Sequence, residues 1–341
     1  MSIDEIYMQL ALTKAWEYQG LTYPNPAVGS VVTYEGEIVA IEAHKKAGTS
    51  HAEVLALVSA YENMSKSKVD FDPMNAKLSH EFLLTLPENF FSKCTIYVTL
   101  EPCSHKGKTP SCATLLSKLN LKKIVIGTED PIEGHNGGIE IVGQCLPAPT
   151  IRVGVLKEEC QDLIEPFVIW QERAFVLFKL AQTSNGRIAT NINDGYLSSK
   201  ASLKHVHELR EVCDLLFIGG NTVRKDRPTL DCRFTGGKAA NVRIYTKNDN
   251  IDREIALFSV EDRDVNIGDS LDFLEEPSFV MVEGAEGMLN VLKEHIDWML
   301  IYQTPKLSTN NLTYNTTMNL QFLHQAKKDV DLMIWSRKSG N

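Results

Sequence analysis

HAEVLAL, residues 51–57, and VTLEPCSHKGKTPSC, residues 98–112, decide how this chain is read. The first stretch begins a helix: Val54, Leu55 and Leu57 form an apolar face, and Glu53 suits the positive end of the helix dipole. The second leaves a β-branched and aromatic strand, CTIYVTL at 94–100, runs into Glu101-Pro102-Cys103, and starts another helix at Cys112. PNPAVGSVVTYEGEIVAIEAH (24–44) holds two β-branched runs about Glu35-Gly36, the pattern of a hairpin, and KIVIG (123–127) follows the Cys112 helix. Strands alternating with helices predict an α/β layer structure.

Placed together, the two stretches carry chemistry. Zinc takes a tetrahedral shell of imidazole and thiolate, and a catalytic zinc leaves one position to water, so His51, Cys103 and Cys112 make a complete three-ligand set. The helix starts around them favour thiolates. Glu53 then gains a role that neither capping nor ligation requires. Zinc lowers the pKa of its water to about 7, and a carboxylate beside that water can take its proton and return it to a leaving amine. H-x-E followed by P-C and a further cysteine is the signature of zinc nucleobase deaminases, with eight residues here between the two cysteines in place of the usual two. A structural zinc with His105 as fourth ligand is the alternative.

The 341 residues are long for one domain and suit two, and a 43% hydrophobic composition can bury two cores. A formal charge of -9 gives no basic footprint for nucleic acid. Residues 1–20 carry Asp4 and Glu5 and no basic segment leading into an apolar run, so no signal peptide is expected. No apolar stretch approaches the ~20 residues of a membrane span. A cytoplasmic protein without nucleic-acid or membrane partners is the expectation. The seven cysteines are odd in number and scattered, which argues against a disulfide framework.

Tyr61 to Ser92, polar and interrupted by Pro73 and Pro87, reads as a surface insertion. CLPAPT (145–150) marks a boundary, giving domains 1–148 and 149–341, with residues 151–173 a connector that suits either side. The second half restarts the alternation with FVLFKLAQTSNGRIA (175–189), a helix KASLKHVHELREVC (200–213), the strand DLLFIGG (214–220) and SFVMVEGAEGMLNVLKEH (278–295). Strands ending at glycines predict a ligand edge at the strand ends, although no complete G-x-G-x-x-G is present.

TYPNPAVGSVV, HAEVLAL, VTLEPCSHKGKTPSC and GTEDP resemble the deaminase domain of the bifunctional riboflavin-biosynthesis deaminase/reductase family. FKLAQTSNGRIA, LREVCDLLFIGGNTVRKDRPTLDCR and VEGAEG resemble its reductase domain, in the same order. The wide cysteine spacing is that family's form of the motif. The resemblance implies a cytidine-deaminase-like three-layer α/β/α domain followed by a dihydrofolate-reductase-like α/β domain. It implies hydrolysis of an amino group from a diaminopyrimidinone ribosylamine phosphate, then reduction of the ribosyl group to ribityl with NADPH, in a homo-oligomer, dimer or tetramer.

Residue by residue, the resemblance implies zinc at His51, Cys103 and Cys112, Glu53 as proton shuttle, and Asn25, His44, His105 and Lys108 in the deaminase pocket. In the reductase it places Lys179, Asp194, Arg210, Leu230, Arg233 and Glu283 near substrate and Ala181, Tyr196, Thr222 and Asp226 near NADPH. Taken singly, Arg210 also reads as an exposed helix arginine, Thr222 as a cap, and Asp226 with Arg227 and Arg233 as a surface ion-pair cluster. Departures are present. Asn185 stands where the family has Asp, Tyr196-Leu197 where it has Trp-Ile, Ala285 where it has a second Gly, and DPIEG (130–134) where it has DPNP. A deaminase with a noncatalytic second domain, a deaminase of another nucleobase, and a zinc-stabilised scaffold are the competing readings.

Overall fold

The structure, a computed structural model, describes residues 1–105, 107, 109–145, 147–189, 196–248 and 250–339. They form two compact units, Met1–Val168 and Ile169–Asn341.

In the first unit, α1 (Ile3–Trp16) opens with a capping box: the Ser2 hydroxyl accepts from the Glu5 N–H, and the Glu5 carboxylate accepts from the Ser2 N–H. The expected hairpin is β1 (Gly29–Tyr34) and β2 (Glu37–Ala43), antiparallel. Its two-residue turn puts Glu35 and Gly36 at φ 50° and 95°, the conformation that matches strand twist. Then follow α2 (Ala52–Ser65), α3 (Ala76–Leu83), β3 (Cys94–Leu100), α4 (Cys112–Leu116), β4 (Lys123–Thr128), α5 (Gly138–Gly143), β5 (Thr150–Val153) and α6 (Lys157–Glu172). The sheet order is β2-β1-β3-β4-β5, antiparallel on the hairpin side of β3 and parallel from β3 to β5.

Strand alternation makes three layers. Val32, Ile96, Val98, Ile124 and Ile126 face the core shared with α2 and α4. The alternate face meets α1: the Tyr97 ring packs tilted against Tyr7 at 5.0 Å, and a Cβ on Gly29 would collide with the Ala11 carbonyl, so glycine is what lets α1 lie this close. Asp4, 3% exposed, ties α1 to the sheet, accepting from Tyr97 at 3.0 Å, Lys123 at 2.7 Å and Arg152 at 2.6 Å.

Two sequence expectations shift here. The helix α2 runs through Ser65, so the first residues of the expected insertion are its last turn, with Tyr61 packed on Phe82 and Phe90. The expected division after residue 148 falls inside the first unit. Beyond it, β5 pairs with β4, and α6 enters with Cys160 against Gly127 and the Leu163 carbonyl accepting from Gln19.

The second unit contains β6 (Ala174–Thr183), α7 (Lys200–Val212), β7 (Leu215–Gly219), α8 (Gly220–Asp226), β8 (Asn241–Tyr245), β9 (Val265–Gly268), β10 (Ser278–Glu283), α9 (Glu286–Leu292), β11 (Trp298–Thr304), β12 (Leu320–Lys328) and β13 (Asp331–Lys338). Its sheet order is β12-β13-β11-β6-β10-β7-β8-β9. The six strands from β11 to β9 are parallel, and β13 and β12 add antiparallel at the edge. Such central strands, buried on both faces, read as the continuous runs FVLFKL, LLFIG and FVMV. Among the described residues no helix is long and apolar enough to cross a membrane.

Burial works to raise the Asp4 carboxyl, but Lys123, Tyr97 and Arg152 outweigh it and hold it below its ordinary 3.8. Its contribution is therefore present above pH 3.8 and lost as pH falls through the lower folded value. Asp4→Asn should cost about 1–3 kcal/mol near neutral pH, reduced by the exposure of the Arg152 partner. In urea melts of both proteins, the gap should close below pH 3.8.

Candidate active site

His51 is the N-cap of α2, with extended backbone and no side-chain bond to the helix, so its ring is free to turn elsewhere. It turns to the cysteines: Nδ1 lies 3.6 Å from Cys103 Sγ and 3.4 Å from Cys112 Sγ. Tetrahedral zinc with bonds of about 2.0 Å to nitrogen and 2.3 Å to sulfur separates those donors by roughly 3.5 Å. The cluster thus fits zinc before any adjustment, with all three ligand atoms within 4.8 Å of one another. The other ring nitrogen, Nε2, lies 3.1 Å from the Thr109 hydroxyl, which fixes the ring in the ligating orientation. The Cys112 thiol, hydrogen-bonded to Cys103, pulls the Cys103 thiol down to about 4 against the effect of burial, helped by His51 and by the Cys112 backbone N–H at 3.3 Å. His105 does not join the cluster; its ring stacks on His135 at 4.8 Å.

The cluster opens onto a cavity of about 280 Å³. Asn25, His44, Glu53 and His105, which the resemblance assigns to the deaminase site, line it together with Glu101, Thr109, Asp130, His135 and Phe167, which sequence reasoning did not single out. Lys108 lies outside the described residues. Glu53 is 4% exposed, and burial raises its carboxyl above the ordinary value, with the charge of His51 opposing and that of Cys103 adding. Burial, and then His51, push His44 down to about 4, so its ring is neutral. The Glu101 carboxylate accepts from the backbone N–H groups of Asp130, Gly137 and Ile139 at 3.0–3.1 Å, pinning the loop that carries Asp130 and His135. A buried carboxylate one residue before Pro-Cys was the available signal for Glu101.

In the second unit, Glu283 at the carboxyl end of β10 is the register partner of Lys179 in the middle of β6. Glu283 accepts from Lys179 Nζ at 2.7 Å and from Arg210 Nε on α7 at 2.7 Å. Burial works to raise its carboxyl, but Arg210 and Lys179 hold it well below the usual range. Arg210 is therefore no exposed helix arginine; its Nη1 also reaches the Asp231 carbonyl at 3.3 Å. Arg233 pairs with the Asp231 side chain at 2.8 Å, and Tyr196, itself exposed, acts electrostatically on Arg233. Leu230 is buried with a left-handed φ of 57°, its carbonyl held by Arg263 at 2.8 Å. Arg227 pairs with Asp252, so the expected surface cluster with Asp226 and Arg233 does not form.

Ala181 lies two residues beyond Lys179 on β6, Thr222 in α8, and Asp226 at its exposed end; no described contact joins these to the Glu283 cluster. Asp194 lies outside the described residues. Two of the departures, at Asn185 and Ala285, have local explanations. Asn185 donates to the Ser308 carbonyl at 2.8 Å and accepts from the Ser308 N–H at 3.1 Å, a pairing for which aspartate lacks the donor. Ala285 caps α9 at φ -104°, where no glycine is needed.

Comparison with known proteins matches residues 1–128 to the cytidine and deoxycytidylate deaminase zinc-binding region and residues 174–308 to the RibD C-terminal domain. Riboflavin biosynthesis protein RibD of Aquifex aeolicus is 38% identical over 246 residues, 71% of this chain and 61% of that protein. That of Synechocystis sp. is 36% identical over 234 residues, 67% of this chain and 56% of that protein. The matched regions thus span under two thirds of these relatives' own length. The crystal structure of a diaminohydroxyphosphoribosylaminopyrimidine deaminase/5-amino-6-(5-phosphoribosylamino)uracil reductase from Thermotoga maritima is 25% identical, covers 99% of both chains and superposes with a TM-score of 0.66.

Two variants test the metal centre. Cys103→Ser should purify without zinc, whereas Thr109→Val should keep the metal but weaken its affinity about 10–100-fold, as read by chelator competition with zinc quantified by mass spectrometry. Equal affinity in Thr109→Val would remove that hydroxyl from the centre.

Proposed function

The chain belongs to the family of riboflavin biosynthesis protein RibD, and on that premise we propose that it carries out two consecutive steps of riboflavin biosynthesis. The first is hydrolytic deamination of 2,5-diamino-6-(ribosylamino)pyrimidin-4-one 5'-phosphate. The second is NADPH-dependent reduction of the ribosyl side chain to ribityl. One observation carries the reading: His51, Cys103 and Cys112 form a three-sided zinc shell whose open side is a cavity holding the Glu53 carboxyl.

When bound, zinc supplies a water activated near neutral pH. Glu53 takes the proton released as the water oxygen bonds to the amino-bearing ring carbon, and returns it to the amine as the carbon–nitrogen bond breaks, so that ammonia leaves. Burial suits it to both halves of this transfer, because its raised carboxyl is a better base than an exposed glutamate and still a competent acid. Asn25, His44 and His105 orient the heterocycle, and Lys108 meets the phosphate as a point charge.

For the reductase, NADPH supplies the reducing electrons when bound. The carboxyl ends of β6, β7 and β10, with tight turns into α8 and α9, form the kind of edge at which dinucleotides bind, and Ala181, Tyr196, Thr222 and Asp226 are assigned to it. Lys179, Asp194, Arg210, Leu230, Arg233 and Glu283 are assigned to the substrate. Glu283 holds Lys179 and Arg210 in place, and no described hydrogen bond uses Arg210 Nη2, which is available to a phosphate oxygen. No described feature favours a noncatalytic second unit. The proposal includes a cytoplasmic homo-oligomer, dimer or tetramer, and no nucleic-acid or membrane partner.

Glu53→Gln should retain one zinc per chain and lose at least about 10³-fold in deamination, the scale of a missing general acid–base group. It should still consume NADPH when given the deaminated pyrimidine. Product masses and NADPH absorbance together read both steps; near-normal deamination by this variant ends the role given to Glu53.

A further inference from the structure

Hydrogen bonds from the cavity lead outward to the segment between α2 and β3. Asn25 Nδ2 lies 3.1 Å from His44 Nε2, and His44 Nδ1 lies 3.1 Å from the Ser50 carbonyl. Ser50 is fully buried, and both of its own donors are tied to that segment: its N–H donates to the Met74 carbonyl at 3.0 Å and its hydroxyl to the Pro73 carbonyl at 2.6 Å. The Ser79 hydroxyl on α3 donates to the same Pro73 carbonyl at 2.9 Å, closing the network on a helix of the segment.

The direction of every bond is forced. A carbonyl oxygen cannot donate, so His44 Nδ1 carries a proton toward Ser50, and an amide nitrogen cannot accept, so Nε2 is the acceptor for Asn25 Nδ2. An accepting nitrogen faces the amide nitrogen of Asn25, not its oxygen. The Asn25 side chain is thereby turned one way, and no described hydrogen bond uses its Oδ1. Asn25 lines the cavity.

We infer that Ser50 and the segment anchored on it are positioning elements: they hold a carbonyl before His44 Nδ1, set that ring's tautomer, and so leave the Asn25 carbonyl oxygen as the acceptor for an N–H of the bound heterocycle. The inference rests on the deaminase reading above for the identity of the ligand, and on the hydrogen-bond chain alone for the tautomer. It gives the segment a part in substrate recognition that its own side chains never make directly. A ring amino or amide N–H satisfies this acceptor, and a bare ring nitrogen does not.

The full zinc-loaded protein, labelled with 15N-histidine, is the sample, and the His44 resonances are assigned by their loss in His44→Asn. An Nδ1-protonated tautomer is expected; an Nε2-protonated or doubly protonated ring overturns the inference. Ser50→Ala then cuts one anchor while Pro73 keeps the Ser79 hydroxyl. KM for the diaminopyrimidinone substrate should rise about fivefold, the worth of one ordinary hydrogen bond, with kcat and zinc content unchanged. An unchanged KM, or a fall in kcat with KM unchanged, overturns it. If the unmodified protein does not turn over that substrate, the deaminase reading falls and the His44 tautomer decides the inference by itself.

Discussion

Three ligand atoms drawn from two strand-to-helix passages, 52 and 61 residues apart in the chain, must lie within 4.8 Å of one another. Most of the first unit serves that requirement. The antiparallel pairing of β1 with β3 and the parallel pairing of β3 with β4 bring the chain leaving β3 to the start of α2. Close packing then holds the convergence: a Cβ on Gly138 would strike the Pro102 carbonyl, so α5 lies directly on the Pro-Cys turn. Glu101, adjacent to that turn, collects three backbone N–H groups and binds the loop after β4 to the same point.

Burial acts on every group there, but with opposite results. Taking a carboxylate or a thiolate out of water opposes its charge. Glu53 has little to offset that and its carboxyl is raised; Cys103 receives hydrogen bonds from Cys112 and His51 and its thiol is lowered, while the Cys112 thiol, which donates to Cys103 and is buried beside Glu53, is raised. The two cysteines thus share one proton in the metal-free cluster, and zinc replaces it.

The sequence carried the metal set and Glu53 because each lies in a short motif whose spacing has a mechanical reason. Thr109, Glu101, Asp130 and His135 carry no such spacing, and only the folded chain brings them to one cavity. The strand β5 was invisible for a different reason. It is a four-residue edge with one partly buried side chain, so it has no apolar period, and the flanking prolines dominate the reading. The long α2 helix was cut short because its last turn packs Tyr61 on aromatic residues of a segment that is polar overall. In the second unit, Glu283 before a glycine was legible at a strand end, whereas its capture of Arg210 from α7 needed the three-dimensional packing.

That capture bears on what the second unit is for. A buried ion pair is weak evidence for stability, since desolvation offsets the attraction, and an apolar cluster of equal volume often serves a fold better. Yet Lys179, Arg210 and Glu283 are held 2.7 Å apart with all three side chains at most 16% exposed. Two cations around one carboxylate leave a net positive charge at the carboxyl end of β10, beside the middle of β6. Such a charge is costly when nothing anionic arrives and favourable when a phosphate does. The departures at Asn185 and Ala285 lie outside this trio, and each is accommodated locally by hydrogen bonding or backbone conformation. Neither of these two departures touches the part of the unit with a chemical reason to be costly.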